Sequence, residues 1–100
     1  LSQGNILIND SENFRVNVFN ARGQFVESWP ISSRGGIEVR DNNMTYISDV
    51  NEGTVSILIN GNLLETAYAP RAHGLAVDTD GSIYTSGASR MTVYKLTRKN

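Results

Sequence analysis

The 100-residue chain is predicted to be an all-β protein built from a repeated unit of short strands. Two observations support this: strand-length apolar runs are separated by turn residues, and the same spacing recurs along the chain. Gly36 and Gly74, which each open an apolar run, lie 38 positions apart, as do Gly23 and Gly61, which each lie in a turn. A period of about 40 residues that holds four strands is typical of one blade of a β-propeller.

The first unit, residues 1–30, is predicted to hold three strands. An apolar run at 5–9 takes the place of a second strand in the repeat. Alternating apolar and polar residues at 14–19 indicate a half-buried strand, and 24–29 follows as an outer strand. Pro30 ends this strand because proline cannot donate a hydrogen bond to a sheet. The inner strand of this unit is therefore expected to be absent.

The middle unit, residues 31–69, is predicted to be complete. Its four strands are expected at the following positions: 36–39, 45–48, 54–59 and 63–68. The window 63–67 has the strongest helical tendency, but it is too short to form a stable helix and lies at the outer-strand position of the repeat.

The last unit, residues 70–100, is predicted to hold three strands at 74–78, 82–86 and 92–96. The Asp80-Gly81 pair between the first two supplies the positive φ angle that a hairpin turn needs. The outer strand is therefore expected to be absent from this unit.

A segment of one full blade and two part-blades leaves both ends of the array open. Exposed apolar faces and strand edges of this kind favour association. We therefore expect the chain to complete a six-bladed ring by self-association, with a homodimer favoured over other homo-oligomers.

Composition and charge narrow the range of functions. The net charge is −1 with the two signs interspersed, which argues against a nucleic-acid surface. The chain has no cysteine, so disulfides and cysteine-bound metals are excluded. No apolar run approaches the length of a membrane span, so no membrane partner is expected. None of these features indicates a cellular location.

The chain resembles NHL-repeat propellers over nearly its whole length. The resemblance is carried by residues 10–19 (DSENFRVNVF), 36–39 (GIEV) and 73–84 (HGLAVDTDGSIY). The last unit is also similar to the closing blade of the peptidyl-α-hydroxyglycine α-amidating lyase group. This further likeness rests on Pro70, His73, 74–77, 81–84 and 92–96.

The lyase resemblance implies a zinc-binding histidine at the start of the inner strand, and His73 falls on that position. The corresponding residue of the middle unit is Gly35, so other ligands would have to come from neighbouring copies. Around a common axis, Arg34 and Arg71 would form a positively charged mouth suited to an anion. Asp49, which closes a second strand, is a further candidate ligand-binding residue, and its alternative role is to stabilise a turn.

Two functions remain open at this point. The first is a scaffold or ligand-binding module for a small molecule, peptide or protein. The second is a metal-dependent lyase in which His73 binds zinc. No nucleophile and base lie at a recognisable spacing, so no catalytic residue is predicted.

Overall fold

The computed structural model describes residues 4–31, 33–40, 43–70, 72–87 and 93–97. Ten strands form three antiparallel sheets of three, four and three strands. Over this described part of the chain there is one 3₁₀ turn and no α-helix. The prediction of an all-β protein is therefore confirmed.

The first sheet contains β1 (Ile6–Asp10), β2 (Arg15–Phe19) and β3 (Phe25–Trp29) in that order. A 3₁₀ turn over Ser11–Asn13 connects the first two strands. Phe14 then adopts a left-handed backbone (φ 55°) before β2 begins. The strands agree with the predicted segments to within one residue at each end.

The middle sheet is a four-stranded meander. Its strands are β4 (Ile37–Arg40), β5 (Met44–Asp49), β6 (Thr54–Ile59) and β7 (Asn62–Tyr68). Gly36 was expected to open β4 but lies just before it, although its carbonyl still accepts a hydrogen bond from the amide of Ser48 at 3.0 Å.

The third sheet contains β8 (Ala72–Val77), β9 (Ile83–Gly87) and β10 (Val93–Leu96), with β9 in the centre. Residue 73, expected just before the strand, lies inside β8.

The repeat is visible in the backbone as well as in the sequence. Gly23 and Gly61 occupy equivalent hairpin turns with φ of 80° and 82°. The register of each following hairpin shifts at an equivalent place, between Val18 and Phe19 in the first sheet and between residues 57 and 58 in the middle one. Such a shift leaves one residue unpaired and turns the outer strand, so both outer strands bend alike.

Apolar side chains bury both faces of the middle sheet. Directly paired residues share a face, and successive residues on a strand alternate between faces. One face packs against the first sheet through a cluster made of Val16, Val18, Trp29, Ile47 and Leu58. The other packs against the third sheet through a cluster made of Tyr46, Val55, Ile57, Ala69, Ala72, Val77 and Ile83.

The turn that follows β1 is held by a surface carboxylate. Asp10 accepts hydrogen bonds from Arg15 Nε at 2.8 Å and from Asn13 Nδ2 at 3.0 Å. The bond to Arg15 is the largest cause of the lowered pKa of Asp10, and the bond to Asn13 is the second. Because the folded-state pKa is lowered, this stabilisation is present above the unfolded-state pKa and is lost as pH falls through the folded-state value.

We expect Arg15→Gln to raise the pKa of Asp10 towards its ordinary value, since the charged donor is removed while Asn13 remains. Carboxyl ¹³C chemical shifts followed against pH measure this directly. Asp80 is the internal control, because its pKa is lowered mainly by the backbone amide of Ser82. An unchanged pKa at Asp10 in the variant would contradict the assignment.

Candidate functional site

The predicted ligand-binding residues lie at one end of the middle and third sheets. The amide of Val50, next to Asp49, donates to the carbonyl of Arg34 at 3.0 Å. The hydroxyl of Ser48 donates to the carbonyl of His73 at 3.1 Å. The backbone at Arg34, Asp49 and His73 therefore converges on this end of the two sheets. Arg71, which was predicted to lie with them, is outside the described residues.

Asp49 has a turn-forming role in this structure. Its side chain is buried at the end of β5. Its Oδ1 accepts hydrogen bonds from the amides of Asn51 at 2.8 Å and Glu52 at 3.0 Å. These bonds cap the β5–β6 turn in the way that Asp stabilises turns generally. They favour the turn-stabilising alternative, and ligand binding by Asp49 stays a prediction.

Arg34 and His73 differ in how their side chains are placed. Arg34 is half-buried, and its Nε is buried with no hydrogen-bond partner in the part of the chain that the structure describes. His73 is exposed on β8. A buried guanidinium nitrogen without a partner is costly, so Arg34 is the better placed of the two to gain from a bound anion.

The residues that the structure describes do not supply a zinc site. Nowhere in the described ranges do three His, Asp or Glu side chains converge on a point. The position equivalent to His73 in the middle sheet is Gly35, which has no side chain to offer. Protein zinc sites need three or four ligands. The residues present therefore do not fit the metal, and no chemical step is derived through it.

Ser48 forms a bridge between the middle and third sheets. Its hydroxyl accepts a hydrogen bond from the amide of Gly36 at 2.8 Å while it donates to the carbonyl of His73. A Cβ atom at Gly35 would come within 2.9 Å of that same carbonyl and would collide with the Ser48 hydroxyl. The two sheets can approach this closely only because residue 35 is glycine. The sequence analysis did not single out Ser48.

Part of the face of the middle sheet that covers the third sheet recurs on the third sheet, although the position of Ile57 in that contact is taken by Lys95. Tyr46 and Val55 lie on this face in the contact cluster, and Ser48 pairs directly with Val55. The residues 38 positions later are again tyrosine, serine and valine, and they share one face of the third sheet: Tyr84, Ser86 and Val93. This face points away from the middle sheet, because Val77 and Ile83 occupy the opposite face.

The first sheet also has an open face, and it corresponds to the face of the middle sheet that the first sheet covers. Val16 and Val18 face the middle sheet, so the alternate residues on β2 face away, together with their partners on β1. These partners are Ile6 and Ile8, both exposed. Ile6 has the register position that Ile83 has in the third sheet, and Ile8 has the position that Ile47 has in the middle sheet. Ile83 and Ile47 both lie in the buried contacts between neighbouring sheets. Beside them, Phe19 and Phe25 meet edge to face with ring centroids 5.8 Å apart.

We expect Ser48→Ala to destabilise the fold by about 1–3 kcal/mol, because it removes two part-buried hydrogen bonds to the backbone that contribute about 0.5–1.5 kcal/mol each. Urea unfolding at a fixed protein concentration measures the change. Ser86→Ala is the matched control, since Ser86 holds the equivalent position on the open face of the third sheet. Equal losses in the two variants would show that the bridge between sheets contributes nothing particular.

No helix in the described residues is long and apolar enough to cross a membrane. Comparisons with protein-family models and with curated proteins found no match to the chain.

Proposed function

We propose that this chain is a module of an NHL-type β-propeller, in which each sheet is a blade and a second copy completes the ring. In this proposal the assembled ring acts as a scaffold that binds a ligand or a protein. The single observation that carries it is the recurrence, on an open face of the third sheet, of the residues through which the middle sheet contacts the third.

The two contacts inside the chain are of one type. In each, the forward face of a sheet, meaning the face turned towards the following sheet, covers the backward face of the next sheet. The chain ends with one open forward face, on the third sheet, and one open backward face, on the first sheet. A contact of the same type can therefore form between two copies, head to tail.

Head-to-tail contacts generate closed rings when the rotation allows it. Two copies with three sheets each give six blades, which lies within the usual range of propeller sizes. In such a dimer each open forward face covers the open backward face of the other copy. The apolar side chains on these faces, Ile6 and Ile8 on one and Tyr84 and Val93 on the other, are then removed from water, which is the main driving force for association.

The same ring would gather the residues at the predicted binding end. Inner strands of a propeller surround a central channel. Two copies of Arg34 and His73 would then lie around one axis, where guanidinium groups favour a carboxylate or another anion. A ligand there would supply the acceptor that Arg34 Nε lacks among the described residues.

We expect Ile8→Lys to convert the dimer into a folded monomer, because it places a charge in the centre of the proposed contact. Light scattering after size exclusion measures the mass. The control is Leu64→Lys, because Ile8 and Leu64 are both 50% exposed but Leu64 lies on an outer strand away from the two open faces. Equal masses for Ile8→Lys and the unaltered protein would contradict the proposal, as would a monomeric unaltered protein.

A mixing experiment tests the head-to-tail arrangement itself. Ile8→Lys blocks only the first sheet, and Val93→Lys blocks only the third. Each variant alone is expected to be monomeric, but an equimolar mixture keeps one intact face of each kind and should form a heterodimer. A mixture that stays monomeric would contradict the head-to-tail contact, and one variant that stays dimeric by itself would show that the contact joins two identical faces instead.

A further inference from the structure

A cavity of about 280 Å³ lies between the middle and third sheets, near their outer strands. Its apolar wall is formed mainly by Tyr46, Ile57 and Ala67 on one side and by Ile83 and Leu96 on the other. All of the lining residues belong to one chain, so the cavity exists whether or not two copies associate.

The equivalent space between the first and middle sheets is filled by Trp29. Trp29 pairs with Val16 on the first sheet, and Ala67 pairs with Val55 on the middle sheet, at the same position of the repeat. Trp29 is only 3% exposed, and a Cβ atom on Gly61 would collide with its indole ring. The indole therefore lies tightly packed between the first sheet and the β6–β7 turn.

The contact between the middle and third sheets has Ala67 at the position where the contact between the first and middle sheets has Trp29. An alanine side chain fills far less space than an indole, and the cavity lies beside Ala67 between the two sheets. An engineered cavity of about 150 Å³ with apolar walls is large enough to bind benzene. A volume of about 280 Å³ accommodates a two-ring aromatic group with space to spare.

We infer that this cavity is a binding site for a flat aromatic molecule of about the size of indole. The ligand would take the place that the Trp29 side chain occupies in the first contact, stacked between the two sheets. Glu65 also lines the cavity and offers carboxylate oxygens that can accept a hydrogen bond from a ring N–H. The apolar walls supply the affinity, and Glu65 favours ligands that carry such a donor.

Binding of 5-fluoroindole, followed by ¹⁹F NMR, tests this inference. Ala67→Trp restores the residue type of the first contact and fills the cavity, so we expect it to weaken binding at least about tenfold. Thr66→Trp is the matched control, because Thr66 is the preceding residue on the same strand and points to the opposite face, where it is exposed. Its affinity should stay within about twofold of that of the unaltered protein.

A second measurement covers the case in which Ala67→Trp does not fold. Nuclear Overhauser contacts from indole protons to the methyl groups of Ile83 and Leu96 are expected in the unaltered protein. Ala67→Leu, a smaller filler, should also weaken binding. Absence of 5-fluoroindole binding, contacts to other methyl groups, or equal weakening by Thr66→Trp would each overturn the inference.

Discussion

Burial of both faces of the middle sheet is the constraint on which the other features of this structure depend. Residues 45–49 of β5 are all buried, the odd ones against the first sheet and the even ones against the third. A strand covered on both sides cannot alternate between apolar and solvent-facing residues. The first and third sheets each cover one face of the middle sheet, so each retains one face that the described residues leave open.

The close approach of the middle sheet to β8 of the third sheet sets the geometry of the contact between these two sheets. Gly35 leaves no side chain between β5 and the backbone of β8, and the Ser48 hydroxyl satisfies backbone groups on both sheets. The glycine leaves room for the backbone of the neighbouring sheet. The serine hydroxyl forms hydrogen bonds with backbone groups that this close approach shields from water. A glycine also lies beside the matching serine of the third sheet, since a Cβ at Gly74 would collide with the Ser86 hydroxyl, but these two residues are paired within that one sheet.

The sequence predicted the strands well because their signals are local. Turn glycines such as Gly23 and Gly61 mark hairpins through their positive φ, and period-two alternation marks half-buried strands. It could not identify Ser48, since a serine is notable only when the carbonyl of residue 73 lies beside it. The same holds for the cavity at Ala67, which depends on spacing between sheets. The predicted roles of Arg34, Arg71 and His73 depend on assembly, which one chain does not contain.

Trp29 and Ala67, at equivalent positions of the repeat, give the two contacts between sheets different packing. Filling both contacts with tryptophan would give two tight, equivalent contacts, since large side chains supply much of the packing energy. Leaving one position as alanine forgoes that packing, at a cost that grows with the space left empty. The first contact buries its indole, and the second leaves the space at Ala67 in which we infer an aromatic ligand binds.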